Sequence, residues 1–239
     1  MKFSVQLYSL RELAKDADSF LALFPALKAM GFSGVEFAGY HGLSAEALRR
    51  ALDDAGLVAT GCHIGLENYV PAKLQATIDF HKILGMRAIG LGGAPHATAK
   101  LTQKSCAVLA KAYPAALEQG MTVYYHNHSG EFRKFRNGRT AMDYFKEACA
   151  LQLDTYWSFC AGVDNYQFIT ENKDRISSLH IKDGKGRRGT ALGEGDCDLR
   201  AVVKAAKEIG LDWLVLEDET TGAGLESVRK GAQWLKANT

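Results

Sequence analysis

Short apolar segments alternate with longer amphipathic segments along the whole chain of 239 residues. Apolar runs bounded by turn residues predict strands, and apolar positions spaced three and four residues apart predict helices. The predicted strands span residues 3–8, 34–37, 58–63, 87–91, 121–126, 152–154, 176–181 and 213–217. The predicted helices span residues 18–30, 45–55, 71–84, 102–119, 140–150, 165–171, 199–209 and 225–237.

Eight strand–helix units follow one another without a low-complexity linker, and this order predicts a parallel sheet. Helices supply the crossovers that parallel strands require, and eight such units close into a barrel. We therefore predict an α/β fold, a single (β/α)₈ TIM barrel over residues 1–239. The alternative is an open doubly wound sheet, which would carry a glycine-rich phosphate-binding turn after its first strand. Tyr8-Ser9-Leu10-Arg11 occupies that position here, so the barrel is favoured.

Composition narrows the class of protein. Hydrophobic residues make up 47% of the chain, which is enough for a large core, and 29 basic against 27 acidic residues leave a net charge of +2. This balance gives no reason to expect a nucleic acid as partner. A basic run at 182–188 is typical of a solvated loop.

The cysteines and the apolar runs bear on location. The five cysteines form no C-x-x-C pair, which favours reduced thiols and a cytoplasmic protein. No apolar run approaches the roughly 18 residues of a membrane span, so no membrane association is expected. The first residues are typical of a strand rather than of a signal peptide.

Polar residues that can bind a metal or move a proton stand at the ends of the predicted strands. A parallel barrel gathers the carboxyl ends of its strands at one rim, where active sites lie. The residues at these ends are Gln6, Tyr8, Glu36, His63, His126, His128, Asp154, His180, Lys182 and Glu217. Histidine nitrogen together with carboxylate oxygen suits Mn²⁺, Co²⁺ or Zn²⁺, whereas Mg²⁺ prefers an oxygen shell. The sequence therefore predicts one composite metal site at this rim.

Each of these residues also has a purely structural interpretation. His180 could be a hydrogen-bonded core histidine, and Asp154 could cap the turn that follows it. Glu217 belongs to an acidic stretch of the kind found in solvated loops. His126 and His128 alternate along a strand, so both would face one side. The four strand ends taken together favour the site.

Five motifs follow one another along the chain: Val5-Gln6-Leu7-Tyr8-Ser9-Leu10-Arg11, Tyr125-His126-Asn127-His128-Ser129-Gly130-Glu131-Phe132, Leu153-Asp154-Thr155-Tyr156-Trp157, Leu179-His180-Ile181-Lys182-Asp183 and Leu192-Gly193-Glu194-Gly195-Asp196. Together they resemble the sugar phosphate isomerase/epimerase family of the xylose-isomerase-like TIM barrels. The resemblance spans nearly the whole chain, and the motifs occur in the family's order. It implies a divalent metal ion (Mn, Co, Zn or Mg, with Mn favoured) at the ends of strands five to eight.

The resemblance also implies which residues bind the metal. The implied ligands are His126, Asp154, His180 and Glu217. Many relatives carry a carboxylate where this chain has His126, so Glu131 is the alternative ligand if its loop folds back.

A small-molecule sugar substrate follows from the same resemblance. We expect a metal-dependent isomerase or epimerase that acts on a small sugar or polyol through an ene-diolate-type intermediate. The predicted general base is Glu217, and the predicted acid partners are Glu131, Lys182 and His63. The predicted substrate contacts are Gln6, Tyr8, Glu36, His63, His128, Trp157 and Lys182.

Two departures from the family pattern keep other functions open. Two-base epimerisation places a carboxylate on each face of the reacting carbon, and His126 replaces one of them. Trp157 stands where relatives often have histidine. The alternatives are a metal-assisted lyase or hydrolase acting on keto-sugars or glycosides, and a non-catalytic carbohydrate-binding barrel. A DNA-repair nuclease of the same superfamily is disfavoured by the near-neutral charge. A homo-oligomer is compatible with the sequence, although no segment identifies an interface.

Overall fold

Eight parallel strands close into a barrel in a computed structural model that describes residues 1–220, 222 and 224–239. The barrel strands are β1 (Lys2–Gln6), β2 (Gly34–Phe37), β3 (Val58–Ile64), β4 (Ala88–Leu91), β5 (Thr122–His126), β6 (Ala150–Asp154), β7 (Ile176–Ile181) and β10 (Trp213–Leu216). They follow chain order around the barrel, and β10 pairs with β1 to close it. The two remaining strands, β8 (Asp183–Lys185) and β9 (Arg188–Thr190), form a hairpin after β7.

Helices follow the barrel strands and surround them. They are α1 (Ala17–Leu21), α2 (Leu23–Met30), α3 (Ala45–Ala55), α4 (Pro71–Ile83), α5 (Ala99–Leu117), α6 (Ala141–Ala148), α7 (Thr155–Cys160), α8 (Asn165–Glu171), α9 (Leu199–Glu208) and α10 (Gly224–Asn238). This architecture confirms the predicted (β/α)₈ barrel. In the described part of the chain, no helix combines the length and the apolarity that crossing a bilayer demands.

Local sequence signals explain where α3 begins and ends. The Ser44 hydroxyl accepts a hydrogen bond from the backbone N–H of Ala47, which satisfies a donor that the first helical turn leaves free. Leu48 and Leu52 lie one turn apart and are buried against the core. Gly56 ends the helix in the left-handed conformation, with φ of 67°, which a residue with a side chain rarely adopts.

One predicted helix is split in two, because a proline falls inside it. The sequence pattern predicts a continuous helix over 18–30, but α1 ends at Leu21 and α2 begins at Leu23. Pro25 has no backbone N–H to donate to the carbonyl four residues earlier, so the first turn, whose N–H groups have no intrahelical acceptor, is where a helix tolerates it best. It occupies that first turn in α2.

Two further predictions about local structure are wrong. The first strand ends at Gln6 rather than Tyr8, because the Gln6 side chain accepts a hydrogen bond from the Tyr8 N–H and starts a 3₁₀ turn. The basic segment 182–188, predicted to be a solvated loop, is buried at 182–184 and contains β8, the turn at 186–187 and the first residue of β9. Helix α7 was not predicted; the Asp154 side chain caps it.

Alternation along the strands separates a polar barrel interior from an apolar layer under the helices. Successive strand residues point to opposite sides. Val5 belongs to the apolar core, while its neighbours Ser4 and Gln6 are equally buried but polar. The Ser4 hydroxyl lies 2.6 Å from the Thr60 hydroxyl, and Gln6 Nε2 donates to Glu36 Oε1 at 2.6 Å. Apolar branched residues usually fill such barrels, so this polar interior departs from the usual pattern.

Candidate metal centre

Side chains from four neighbouring strands meet at the carboxyl rim of the barrel. His126 and Asp154 end β5 and β6. His180 lies in β7, aligned with Asp154, and Glu217 follows β10 directly. One ligand atom of each residue lies within 4.8 Å of those of the other three, and all four residues are buried. We call these four residues the metal-site cluster.

Several atoms of the cluster have no hydrogen-bond partner among the described residues. They are Nδ1 and Nε2 of His126 and Oδ2 of Asp154, all of them buried. His126 Nε2 lies 3.5 Å from Asp154 Oδ2 and 3.8 Å from Glu217 Oε2. Buried polar atoms without partners are costly, and a cation bound by one nitrogen of His126 and by Asp154 Oδ2 would give both of these atoms a partner. Two imidazoles and two carboxylates form a donor set that fits a divalent ion such as Zn²⁺, Co²⁺ or Mn²⁺.

The two carboxylate oxygens of Asp154 have different partners. Oδ1 accepts hydrogen bonds from the N–H groups of Tyr156 and Trp157 and thereby caps α7. The backbone N–H of Asp154 donates to Asn127 Oδ1. These bonds fix the carboxylate and leave Oδ2 directed at the cluster. The capping role and the metal-binding role predicted as alternatives are therefore geometrically compatible.

His180 is held from both sides. Its Nε2 lies 2.8 Å from Glu36 Oε1, inside the barrel, and its Nδ1 lies 3.0 Å from Glu217 Oε2, in the cluster. Burial lowers the pKa of His180, but the carboxylates of Glu36 and Glu217 outweigh this effect and raise the pKa to about 10. Burial raises the pKa of Glu217, but attraction to Lys182 and His180 prevails and holds it well below its usual range.

Lys182 is a buried cation at the edge of the cluster, with only 1% of its side chain exposed. Its Nζ lies 2.9 Å from Glu219 Oε2, 3.3 Å from Glu217 Oε2 and 3.8 Å from Asp154 Oδ2. Burial lowers the pKa of Lys182, but these carboxylates raise it above its usual range. The ammonium group also lies 4.8 Å from the centre of the Trp157 ring, close enough for a cation–π contact.

His63 lies beside the cluster rather than in it. Its Nε2 is 2.7 Å from Gln152 Oε1 and 3.0 Å from Glu36 Oε1. Its ring stacks on His180, with centroids 5.3 Å apart, and lies 4.7 Å from the ring of His126. These three imidazoles also come within common reach of one cation. The structure thus brings His63 next to the predicted ligands.

Glu131, the alternative fourth ligand, is placed outside the cluster. It is fully buried, and its carboxylate accepts hydrogen bonds from the Tyr125 hydroxyl at 2.8 Å and the His128 N–H at 3.0 Å. The imidazole of His96 also lies nearby, with its Nε2 3.8 Å from Glu131 Oε2. The loop of Glu131 therefore does not bring it to the cluster, whereas His126 lies within it. The His128 side chain is 47% exposed at the rim.

Of three predicted substrate contacts, two are enclosed in the barrel and one is exposed. Gln6 and Glu36 are essentially inaccessible, and each is hydrogen-bonded to protein groups inside the barrel. Both side chains are enclosed in this structure, and direct substrate contact by either of them stays a prediction. Tyr8 is 43% exposed, and the Arg11 guanidinium lies 4.3 Å from its ring centre.

Sequence reasoning missed several polar residues around the site. Gln152 and Tyr124 lie two residues before Asp154 and His126, so the two-residue strand period already placed them on the same face. Glu219 was visible only as part of an acidic stretch. No sequence signal separated His96 from an ordinary loop histidine.

The Leu179–Asp183 and Leu192–Asp196 motifs are joined by one carboxylate. The Asp183 side chain, 1% exposed, accepts hydrogen bonds from several backbone N–H groups. Those donors are Gly184, Gly193, Gly195 and Cys197. Glu194, between the two glycines, points away and pairs with Lys230 at 2.8 Å. These motifs therefore shape the loop beside Lys182.

Comparisons with known proteins agree with this architecture. The family model described as the xylose isomerase-like TIM barrel matches residues 24–238. Comparison with curated protein sequences gave no significant match. The chain is similar to a solved sugar phosphate isomerase/epimerase from Parabacteroides distasonis, with a TM-score of 0.82 and 23% identity over 99% of this chain and 93% of that one.

Two other solved structures are similar over nearly their full lengths. L-ribulose 3-epimerase has a TM-score of 0.76 and 18% identity, covering 100% of this chain and 94% of that one. The IolI protein, whose structure contains a zinc atom, has a TM-score of 0.77 and 15% identity, covering 99% and 97%. At such identities the likeness shows the fold.

The family model is the finding that assigns the chain, because it covers almost all of the barrel. It also confirms the family resemblance, and four of the five sequence motifs lie within the matched residues. The chain belongs to the xylose isomerase-like TIM barrel family.

Proposed function

We propose that this protein is a divalent-metal-dependent isomerase or epimerase that acts on a small sugar or polyol. The observation that carries the proposal is the metal-site cluster, whose buried His126 and Asp154 atoms have no hydrogen-bond partner among the described residues. The family, and the sugar isomerases and epimerases among its structural neighbours, support the substrate class. Two imidazoles and two carboxylates would hold the ion, with Mn²⁺ favoured.

The remaining groups at the rim suit proton transfer next to a carbonyl. A bound divalent ion would polarise a substrate carbonyl and the adjacent hydroxyl. Glu217, whose pKa is held low, is ionised at neutral pH and serves as the general base. Lys182 stands 3.3 Å away and serves as the proton donor. His63 is the second candidate for the acid, since its ring lies 4.7 Å from that of His126 and it shares the reach of one cation with His126 and His180.

Aromatic and imidazole side chains at the rim would orient the substrate. Trp157 lies beside Lys182, and its ring centre is 5.9 Å from that of His128. An indole face packs well against the C–H face of a sugar ring, while an exposed imidazole can hydrogen-bond hydroxyls. Tyr8 is the remaining exposed candidate. Glu131 acts through His128, whose backbone N–H it holds.

A second function is favoured by the pairing of Glu217 with Lys182. Elimination needs a base for the proton beside the carbonyl and an acid for the departing oxygen, whereas two-base epimerisation needs a base on each face of the carbon. A carboxylate and an ammonium group 3.3 Å apart supply the first arrangement. We therefore keep a metal-assisted lyase acting on keto-sugars or glycosides as the second candidate.

Product analysis separates these functions. The metal-loaded protein is incubated in D₂O with ketoses, aldoses and 3-keto-glycosides, and followed by NMR. Deuterium incorporation beside the carbonyl with retention of all substituents supports isomerisation or epimerisation. Release of water or an alcohol supports the lyase. Sugar binding without exchange or turnover, in protein that retains its metal, would contradict both and favour a non-catalytic barrel. Glu217→Gln should abolish exchange.

A further inference from the structure

A single carboxylate inside the barrel collects an unusual number of donors. Glu36 is 1% exposed and is the penultimate residue of β2; it contacts His180 of the metal-site cluster from inside the barrel. Its oxygens are within hydrogen-bond reach of Gln6 Nε2 at 2.6 Å, Gln152 Nε2 at 2.6 Å, His180 Nε2 at 2.8 Å, His63 Nε2 at 3.0 Å and Tyr124 Oη at 3.1 Å. A buried carboxylate is costly unless its lone pairs are satisfied, and here they are.

Two strand glycines make room for this arrangement. Glycine inside a strand is unfavourable unless another group approaches closely. A Cβ at Gly61 would collide with the Tyr124 hydroxyl, and a Cβ at Gly90 would collide with the Tyr124 ring. The absence of these side chains lets Tyr124 cross the barrel and reach both Glu36 and the backbone of Cys62. Local sequence is thus arranged around the carboxylate.

We propose that Glu36 is a positioning residue that sets the tautomer and orientation of His180. Because Nε2–H of His180 donates to Glu36 Oε1, Nδ1 is the ring nitrogen that faces the cluster, where Glu217 and Asp154 lie at 3.0 and 3.8 Å. A metal ion bound there would replace the proton that Nδ1 shares with Glu217. A carboxylate on the outer nitrogen of a ligating imidazole fixes the ring and makes the inner nitrogen a better donor. This inference rests on the proposed metal centre.

Oε1 of Glu36, which accepts from His180, also orients His63. Glu36 Oε1 lies 3.0 Å from His63 Nε2, and the two imidazoles stack at an interplanar angle of 24°. Both rings therefore turn their Nε2 atoms inward to one carboxylate. Glu36 itself is on the far side of His180 from the metal-site cluster and is not a member of it. Its contact with the site runs through imidazoles, in keeping with its burial.

The test compares metal affinity in two variants of the complete chain. Glu36→Gln keeps the size of the side chain but removes the charge that pairs with both imidazoles. Co²⁺ affinity, measured by competition with a chelator, should fall about 10- to 100-fold, and the visible Co²⁺ absorption should change. Tyr124→Phe removes one donor from Glu36 and leaves the carboxylate and the imidazoles, so its Co²⁺ affinity and spectrum should match the wild type. Wild-type affinity and spectrum in Glu36→Gln would overturn the proposal.

A second measurement needs no variant. Long-range ¹H–¹⁵N correlation spectra of histidine-labelled, Zn²⁺-loaded wild-type protein report which ring nitrogen carries the proton. The proposal expects Nε2–H and metal-bound Nδ1 at His180, and metal-bound Nε2 would overturn it. Failure of the wild-type protein to bind any divalent ion would instead refute the metal centre itself, so the two failures are distinguishable.

Discussion

The ammonium nitrogen of Lys182 lies 3.3 Å from Oε2 of Glu217, and both side chains are almost inaccessible to water. Removing charges from water is expensive, so such a pair persists only where each charge has several partners. Lys182 has three carboxylates within 3.8 Å, counting Glu219 and Asp154. The pair is therefore built into the site with a defined geometry, as proton transfer requires.

Replacing Lys182 with methionine tests its role as proton donor. Met keeps much of the apolar stem but carries no proton, so kcat should fall about 10²- to 10⁴-fold while the metal stays bound. Lys185→Met, an exposed position in the adjacent hairpin, is the matched control and should retain wild-type kcat. Turnover assays and metal analysis of both variants give the answer. Unchanged kcat in Lys182→Met would remove this residue from the mechanism.

His126→Glu should change the metal preference. The substitution exchanges a nitrogen ligand for a carboxylate, giving one imidazole and three carboxylates in the cluster. Oxygen-rich shells favour Mn²⁺ and Mg²⁺ relative to Zn²⁺. Competition binding with pairs of these ions should show the shift. An unchanged preference, in folded protein that binds metal, would show that His126 is not a ligand.

Asp183→Ala should lower the stability of the fold, because Asp183 holds a loop together and takes no direct part in the proposed reaction. The substitution leaves backbone N–H groups of Gly184, Gly193, Gly195 and Cys197 without their acceptor. Lost hydrogen bonds to a buried charge should lower the free energy of unfolding by roughly 3 kcal/mol or more. Glu194→Ala breaks an exposed ion pair and should cost less than about 1 kcal/mol. Urea unfolding measures both, and equal small losses would contradict this account.

The buried His81 should make the folded protein less stable in mild acid. It is 2% exposed, with Nδ1 at 2.6 Å from the Thr77 carbonyl and Nε2 at 2.6 Å from the Tyr40 hydroxyl and 3.2 Å from Cys62 Sγ. Burial lowers its pKa below the ordinary 6.5, although the Thr77 carbonyl opposes this. Tyr40 and Cys62 have raised pKa values and stay neutral.

The direction of this pH effect on stability depends on whether the folded or the unfolded chain binds the proton more readily. Above pH 6.5 His81 is neutral in both the folded and the unfolded chain, so its contribution is constant. As the pH falls through 6.5, the unfolded chain binds a proton that the folded chain does not, and stability drops by up to about 1.4 kcal/mol per pH unit. His81→Gln should lose stability less steeply between pH 7 and pH 5. Parallel urea-unfolding profiles for the two proteins would refute this assignment.

The sequence predicts the barrel well because the strand and helix periods repeat eight times. It also predicts the location of the metal-site cluster, since Asp154, His180 and Glu217 stand at strand ends that a parallel barrel must bring together. Local interactions that interrupt a helix or a strand were not predicted, because the hydrophobic spacing continues through them. Pro25 divides a helix whose apolar spacing continues through it, and Gln6 ends a strand by bonding to its own chain.

The sequence does not predict how deep each residue lies within the barrel. Gln6, Glu36 and His63 all stand near strand ends, yet two are enclosed while His63 reaches the rim. Register sets that depth, and register depends on pairing across the sheet rather than on residues near in sequence. The partners of Glu36 come from five other strands, namely β1, β3, β5, β6 and β7.

The most direct measurement is the binding of Mn²⁺, Co²⁺ and Zn²⁺ to chelator-treated wild-type protein and to single variants of the proposed ligands. The account predicts one ion per wild-type chain, loss of most bound ion in Asp154→Ala and His180→Ala, and retention in Glu131→Gln. Metal content that is unchanged by both alanine substitutions, or a wild-type chain that binds none of these ions, would contradict it.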